Sequence, residues 1–314
     1  MRFSILIPAY KQAFLHDCLE SVLSQDYEDY EVIVLNDASP ENLESVVEQY
    51  FDNPKLKYYK NDCNKGAINL VDNWNRCLQL AEGDFVICIG DDDKLLPCCL
   101  CEYDKLISQF PGIAVYHGWA EIIDENGQFV DYQMPRPLFE SAYTMMMQVW
   151  REGGGRQWIG DFCFNTRILR EQGGFYPLPL AWGSDRITAV RAAALAGIAN
   201  TQKPVFQYRM TPFRLSSSNY AFVKIDARRQ ATRWYEVFLS HTAENEVDDK
   251  MRLLAQWTLH SAMRSASIDN IVEDMLANGF FSKLLFWWRR HREYDLTTRD
   301  MLKASILYLK FKFF

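Results

Sequence analysis

Phe3 to Ile7 is a short apolar run closed by Pro8, and Leu15, Cys18, Leu19, Val22 and Leu23 then recur at helical spacing, which predicts a strand, a loop and a helix. Glu31 to Leu35 repeats the strand pattern. Ser39-Pro40-Glu41 offers an N-cap, a first-turn proline and an acidic first turn ahead of Leu43, Val46, Val47 and Tyr50, which predicts a second helix. Leu56 to Tyr59 reads as a third strand, Ala67 to Ala81 as a helix carrying Val71, Trp74 and Leu78, and Phe85 to Ile89 as a buried fourth strand. Alternating strands and helices imply an α/β fold with a parallel sheet, whose ligand edge lies beyond the carboxyl ends of the strands. This chain places Pro8-Ala9-Tyr10, Asn36-Asp37-Ala38-Ser39 and Asp91-Asp92-Asp93 there.

Beyond that point the alternation stops. Trp119 to Ile123 and Gln128 to Tyr132 flank Asn126-Gly127, the signal of a two-residue hairpin turn. Gln133 to Gly160 reads as a loop rich in Met, Gly and Arg. A strand near Phe162 to Asn165, a Gly173-Gly174 turn and a helix from about Ser184 to Gly197 follow, and from about Ser216 the pattern is helical only.

The chain has 314 residues, 48% of them hydrophobic, enough for one full domain and a smaller appended unit. A net charge of -7 supplies no global basic field, so nucleic acid is not an expected partner. No apolar run reaches the 18 or so residues that would span a bilayer. The eight cysteines are scattered through predicted helices and strands with no secretory signal ahead of them, which fits reduced thiols in a cytoplasmic protein. Cys98-Cys99-x-Cys101 lacks the further ligands of a zinc site.

Three consecutive carboxylates after a buried strand repel one another, and a divalent cation or a hydrogen-bond network is what keeps them together. Oxygen ligands select Mg²⁺ or Mn²⁺, whose open positions phosphate oxygens fill. A solvated acidic turn is the plainer alternative. Neither a GxxxxGK[ST] loop nor a GxGxxG follows the first strand, so the metal would have to bind the phosphates.

Ser4-Ile5-Leu6-Ile7-Pro8-Ala9-Tyr10, Leu19-Glu20-Ser21-Val22-Leu23-Ser24-Gln25, Glu31-Val32-Ile33-Val34-Leu35-Asn36-Asp37-Ala38-Ser39 and Gly90-Asp91-Asp92-Asp93-Lys94-Leu95-Leu96-Pro97 together resemble family 2 glycosyltransferases, in that family's order and spacing. Weaker matches at Gly173-Gly174-Phe175, Ser184-Asp185 and Tyr208-Arg209 extend the likeness to about Ser218. The resemblance implies a GT-A fold over residues 1–215, with a nucleotide-sugar-binding half (1–118) and an acceptor-binding half (119–215), followed by a helical extension (216–314). It implies inverting transfer of a sugar from a nucleotide diphosphate donor, a UDP-sugar being favoured, to a glycan or lipid-linked acceptor hydroxyl in the synthesis of cell-surface polysaccharide or glycolipid.

The resemblance also assigns roles. Pro8, Ala9 and Tyr10 would line the base and ribose pocket, with Asp37 accepting the imide hydrogen of the base and Asp91 contacting the ribose. Asp92, with Asp93 beside it, would hold Mn²⁺ or Mg²⁺ on the diphosphate. The family usually has a second aspartate where this chain has Asn36, which keeps an acceptor oxygen and loses the charge. Asp185 would be the general base, although its place also reads as a helix N-terminal charge. Tyr208, Arg209 and Arg214 follow the last core strand, and Arg209 is expected to lend a positive charge to the diphosphate or else to pair with a carboxylate. An inactive nucleotide-sugar-binding module and a metal-dependent nucleotide-sugar hydrolase are the competing readings.

From Phe281 to Phe314 eight basic side chains face three acidic ones, a net of +5, which leaves -12 on the remainder. Interleaved aromatics make this tail resemble an interfacial helix on anionic lipid, giving peripheral contact with the inner face of a membrane; a helix packing its aromatics on the core is the alternative.

Overall fold

The computed structural model describes residues 2–150, 156–211 and 220–313. Its first stretch runs β1 (Phe3–Ala9), α1 (Leu15–Leu23), β2 (Tyr30–Asn36), α2 (Glu44–Val47), β3 (Leu56–Lys60), α3 (Gly66–Leu80) and β4 (Phe85–Cys88). These four strands are parallel, in the order β3-β2-β1-β4. Phe3 and Ile5 to Ile7 are fully buried, as a strand covered on both faces requires.

The second stretch supplies β5 (Lys94–Leu95), α4 (Cys99–Gln109), β6 (Val115–Ile123), β7 (Phe129–Tyr132), β8 (Phe139–Glu140), α5 (Ala142–Trp150), β9 (Phe162–Asn165), α6 (Thr166–Glu171), α7 (Ser184–Ala196) and β10 (Ile198–Arg209). The sheet continues β4-β9-β6-β10-β5, with β7 on β6 and β8 on β10. β9 is antiparallel to both β4 and β6, so a strand late in the chain fills the middle of the sheet.

Four expectations change. The second helix starts at Glu44, because the Ser39 hydroxyl accepts from Glu41 N at 3.0 Å but also donates to Tyr10 O at 2.5 Å, holding 39–41 as a turn. The hairpin loop spans 124–128 and is no two-residue turn: the Asp124 carboxylate accepts from Asn126 N at 2.9 Å and Gln128 N at 2.8 Å. Within 133–160 the chain forms β8 and α5, the former because Phe139 and Glu140 pair with Ala199 and Ile198. Inside α3, Asn69 leaves helical geometry and its side chain accepts from Val71 N.

The chain divides into two compact units, one comprising 1–149, 153–177 and 184–211, the other 150–152, 178–183 and 212–314. The expected boundary at 215/216 and Arg214 lie outside the described residues. The second unit contains α8 (Ala221–Ser240), α9 (Glu246–Asn278), α10 (Phe280–Arg290) and α11 (Thr298–Phe313). Its core gathers Ile225, Ile271, Met275, Trp287, Met301 and Tyr308. The Trp287 indole donates to Asp274 Oδ2 at 2.8 Å, and Phe222 stacks on Trp287 at 4.7 Å. In the tail Trp287 and Tyr308 pack inward, while Phe281, Leu285, Leu302 and Ile306 stay exposed. No helix among the described residues is long and apolar enough to cross a membrane.

Candidate active site

The loops after β1, β2 and β4 meet through hydrogen bonds that their polar residues make with one another. Asp91 Oδ2 accepts from Tyr10 N at 2.6 Å and Lys11 N at 2.7 Å. Asp37 N donates to Ala9 O at 2.9 Å. Pro8 is half-buried, and the Ala9 side chain lies in the core, so Ala9 contributes its carbonyl to this edge. The Tyr10 ring is 39% exposed and free to meet a planar ligand.

Asp37 is buried, and three donors of the chain already address it: Asn61 Nδ2 at 2.7 Å and Lys65 N at 2.8 Å on Oδ1, and Gly66 N at 2.6 Å on Oδ2. A carboxylate has about four acceptor sites, so one direction stays open. Gly66 makes the approach feasible, since a Cβ there would stand 2.9 Å from Asp37 Oδ2. Asn36 faces away: its amide donates to Tyr58 Oη at 2.9 Å and Glu44 Oε1 at 3.5 Å, while its Oδ1 accepts from Ser39 N at 2.9 Å. An aspartate would lack the hydrogens for the first two contacts.

The acidic turn is clamped by α1. Ser21 Oγ accepts from Leu95 N at 3.2 Å, and the Gln25 amide donates to Leu96 O at 3.1 Å and accepts from Leu100 N at 3.3 Å. The helical motif Leu19–Gln25 is therefore a brace for the carboxylates.

Those carboxylates sit in a place hostile to charge. Burial, followed by the charge of Asp92, pushes the Asp91 carboxyl up to about 6, and the same two causes push Asp93 well above the carboxylate range. Asp92 is also raised by burial, with Lys11 and Arg209 pulling the other way. A Cβ built on Gly90 would lie 2.9 Å from Asp92 Oδ1 and 3.1 Å from Asp93 Oδ2, so these two oxygens converge over the bare glycine. Two hard oxygen donors around a cradle that any side chain would fill suit a cation of the Mg²⁺ or Mn²⁺ class. Among the described residues no cluster of three or more His, Cys, Asp or Glu forms a complete cage, so other ligands would have to come from a substrate or water.

Arg209 is 1% exposed and holds this turn from behind. Its Nε donates to Asp92 O at 2.9 Å, its Nη1 to Glu125 O at 3.2 Å and its Nη2 to Asp17 Oδ2 at 2.9 Å, while its backbone N donates to Asp93 Oδ1 at 2.9 Å. The guanidinium also lies 4.6 Å from the centre of the Phe14 ring. Its donors thus go to protein acceptors, including the carboxylate of Asp17.

Asp185 stands in the first turn of α7, where its Oδ1 accepts from Arg186 N at 2.8 Å. Burial pushes its carboxyl up to about 6, with Arg186 opposing and Asp161 adding to the rise. Asp161 is the link that sequence reasoning missed. It is wholly buried, its charge also raises Asp93, and its Oδ2 accepts from Trp158 N and Gln133 Nε2 at 2.9 Å each. His117 Nε2 lies 3.7 Å from that oxygen, and burial pushes the imidazole down to about 3, which keeps it neutral. Beside them Arg136 and Glu140 form a buried ion pair at 2.7 Å.

The profile of the family described as Glycosyl transferase family 2 matches residues 4–171. Over 97 residues the chain is 35% identical to GalNAc(5)-diNAcBac-PP-undecaprenol beta-1,3-glucosyltransferase of Campylobacter jejuni subsp. jejuni serotype O:2, covering 30% of this chain and 31% of that protein. Over 97 residues it is also 35% identical to the putative colanic acid biosynthesis glycosyl transferase WcaA of Escherichia coli strain K12, covering 30% and 33%. The chain thus aligns with about a third of the length of these curated relatives. Among solved structures it is similar to S. aureus TarS 1-349 in complex with UDP-GlcNAc, with a TM-score of 0.66 at 18% identity over 99% of this chain and 92% of that one. The mannosyltransferase PcManGT from Pyrobaculum calidifontis, in complex with GDP-Man and Mn²⁺, gives a TM-score of 0.57 at 17% identity, over 98% and 87%. These structures share the GT-A fold of a mixed sheet flanked by helices, and the helical C-terminal region is matched as well.

Proposed function

The chain belongs to glycosyl transferase family 2, and we propose that it transfers a sugar from a nucleotide diphosphate sugar, a UDP-sugar first, to an acceptor hydroxyl with inversion at the transferred carbon. The observation that carries this reading is the convergence of Asp92 Oδ1 and Asp93 Oδ2 over Gly90, next to the loops after β1 and β2. A phosphate-bearing ligand would sit against that cradle, while the open side of Asp37 and the exposed ring of Tyr10 meet its base. Asp91 orients the Tyr10 and Lys11 amides from below. Asp92 and Asp93 would hold Mn²⁺ or Mg²⁺, which when bound offsets negative charge on the departing diphosphate.

Asp185 would take the acceptor hydroxyl's proton, a task suited to a carboxyl raised to about 6. Arg209 supplies a fixed positive charge under the acidic turn through the bonds already described. The C. jejuni relative's undecaprenol-linked name and the basic aromatic tail together favour a lipid-linked acceptor met at a membrane surface.

Calorimetry of UDP binding with Mn²⁺ and with EDTA, on wild type and Asp92→Ala, tests the reading, followed by product analysis with UDP-sugars. Metal-dependent binding lost in Asp92→Ala, together with glycosyl transfer, is expected. Equal affinity in all four conditions would refute it, and binding without turnover would indicate an inactive module.

A further inference from the structure

Within the helical unit, α9 and α11 flank an open groove of about 680 Å³. Arg264, Arg299 and Lys303 line it, and these three cations make no ion pair or hydrogen bond with the described residues. The one acid lining it, Asp300, is occupied: its Oδ2 accepts from Thr297 N at 2.8 Å and Thr297 Oγ1 at 2.7 Å. Asp269 lies within Coulombic reach of Lys303 but does not line the groove.

The apolar part of the groove runs out onto the surface. Leu302 and Ile306 line it while remaining 53% and 66% exposed, and Leu309 continues the same i, i+4, i+7 stripe. On α9, Ser261, Arg264 and Ile268 share a face with Trp257, which is 80% exposed. Unpaired cations beside exposed leucine, isoleucine and tryptophan are the makings of a site for an amphiphile with an anionic head. A free anion would need no apolar stripe, and a second copy of this unit would bring the same cations against themselves.

We propose that this groove seats the phosphate of an anionic phospholipid, with Leu302, Ile306 and Leu309 entering the acyl region and Trp257 resting at the boundary. The proposal deepens, and rests on, the reading of the tail as the part of the protein that meets a membrane. It gives that contact a chemical preference, for lipids carrying a net negative phosphate over zwitterionic ones. The net charge of +5 on residues 281–314 adds to the attraction of the tail to such a surface.

The test is co-sedimentation of the full chain with phosphatidylcholine vesicles, with and without phosphatidylglycerol. It compares wild type, R264Q/R299Q/K303Q, L302S/I306S and, on α10, F281S/W288S, with UDP binding as the check on fold. Wild type is expected to bind only the anionic vesicles, and the charge variant to lose on the order of 10² in partitioning, at about fivefold per basic residue. L302S/I306S is expected to lose roughly tenfold or more.

Groove variants that bind like wild type while F281S/W288S does not would overturn the groove and leave the tail reading standing. Wild type that binds neither vesicle overturns both. Complete displacement by inorganic phosphate would make the site one for free anions. A wild type that self-associates without binding vesicles, and is monomeric as L302S/I306S, would make it a contact between copies. Either result overturns the proposal.

Discussion

Replacing Asp185 by asparagine is expected to stabilise the protein and stop transfer together. Burial pushes the Asp185 carboxyl up to about 6 from an ordinary 3.8. At 1.36 kcal/mol per pH unit this sets a cost of about 3 kcal/mol on the ionised form, which we reduce to about 1–2 kcal/mol because the side chain is only half-buried. The native state keeps its proton to higher pH than the unfolded chain, so stability falls as pH rises from about 4 to about 6, and the full cost is present at about pH 7.5. The asparagine has no such cost, and its Oδ1 can still accept from Arg186 N. Loss of a charge at the start of α7 acts in the opposite direction but is worth only about 0.3–1 kcal/mol.

Urea unfolding should therefore find wild type and Asp185→Asn similar near pH 4, and the variant roughly 1 kcal/mol more stable near pH 7.5, the burial cost less the helix-terminal term. Its transfer rate should drop by about 10²–10⁴, and wild-type kcat/KM should decline below about pH 6 as the base is protonated. A stability difference independent of pH would refute the electrostatic reasoning. Turnover near that of wild type would show that the base lies elsewhere.

Gly90→Ala places a methyl 2.9 Å from Asp92 Oδ1 and 3.1 Å from Asp93 Oδ2, and it should abolish the Mn²⁺ dependence of UDP binding in calorimetry while the circular dichroism of the fold is kept. Arg209→Gln removes donors to the Asp92 and Glu125 carbonyls and the bond to Asp17, which is itself 47% exposed, so urea unfolding should show a loss of about 1–3 kcal/mol. Asn36→Asp puts a buried carboxylate near Glu44 and strips the donor from Tyr58; unfolding should show a loss of about 1–3 kcal/mol, larger at neutral than at acid pH.

The ligand edge was legible because each of its parts is local. Apolar runs at Phe3–Ile7, Glu31–Leu35 and Phe85–Ile89 each deliver a polar cluster to the same side, and the acidic triplet announces its own electrostatic problem. What failed depended on distant partners. Phe139 and Glu140 become a strand only by pairing with residues near 198, and periodicity cannot show that. Ser39 reads as a cap, but its hydroxyl is also claimed by Tyr10. Asp161, His117, Gln133 and the Arg136–Glu140 pair are scattered through a region without periodic signal; the one hint was an aspartate directly ahead of the apolar run Phe162–Phe164. Arg209 gave a charge in the right place, yet the turn of its donors inward is a matter of packing.

The position of β9 also sets a schedule. β4 and β6 share no backbone hydrogen-bond ladder; the strand that joins them ends at Asn165, long after Cys88 closes β4. At synthesis rates of about 5–20 residues per second, the slot between β4 and β6, which exists once β6 has been made at Ile123, stays unfilled for roughly 2–8 s. During that interval β4 and β6 each offer an open hydrogen-bonding edge flanked by apolar side chains, the condition under which chains pair with strangers. The nucleotide half is therefore not a separable piece: a fragment that stops before β9 should aggregate or sit on a chaperone, and the acidic turn after β4 acquires its final support only once Arg209 at the end of β10 has been made.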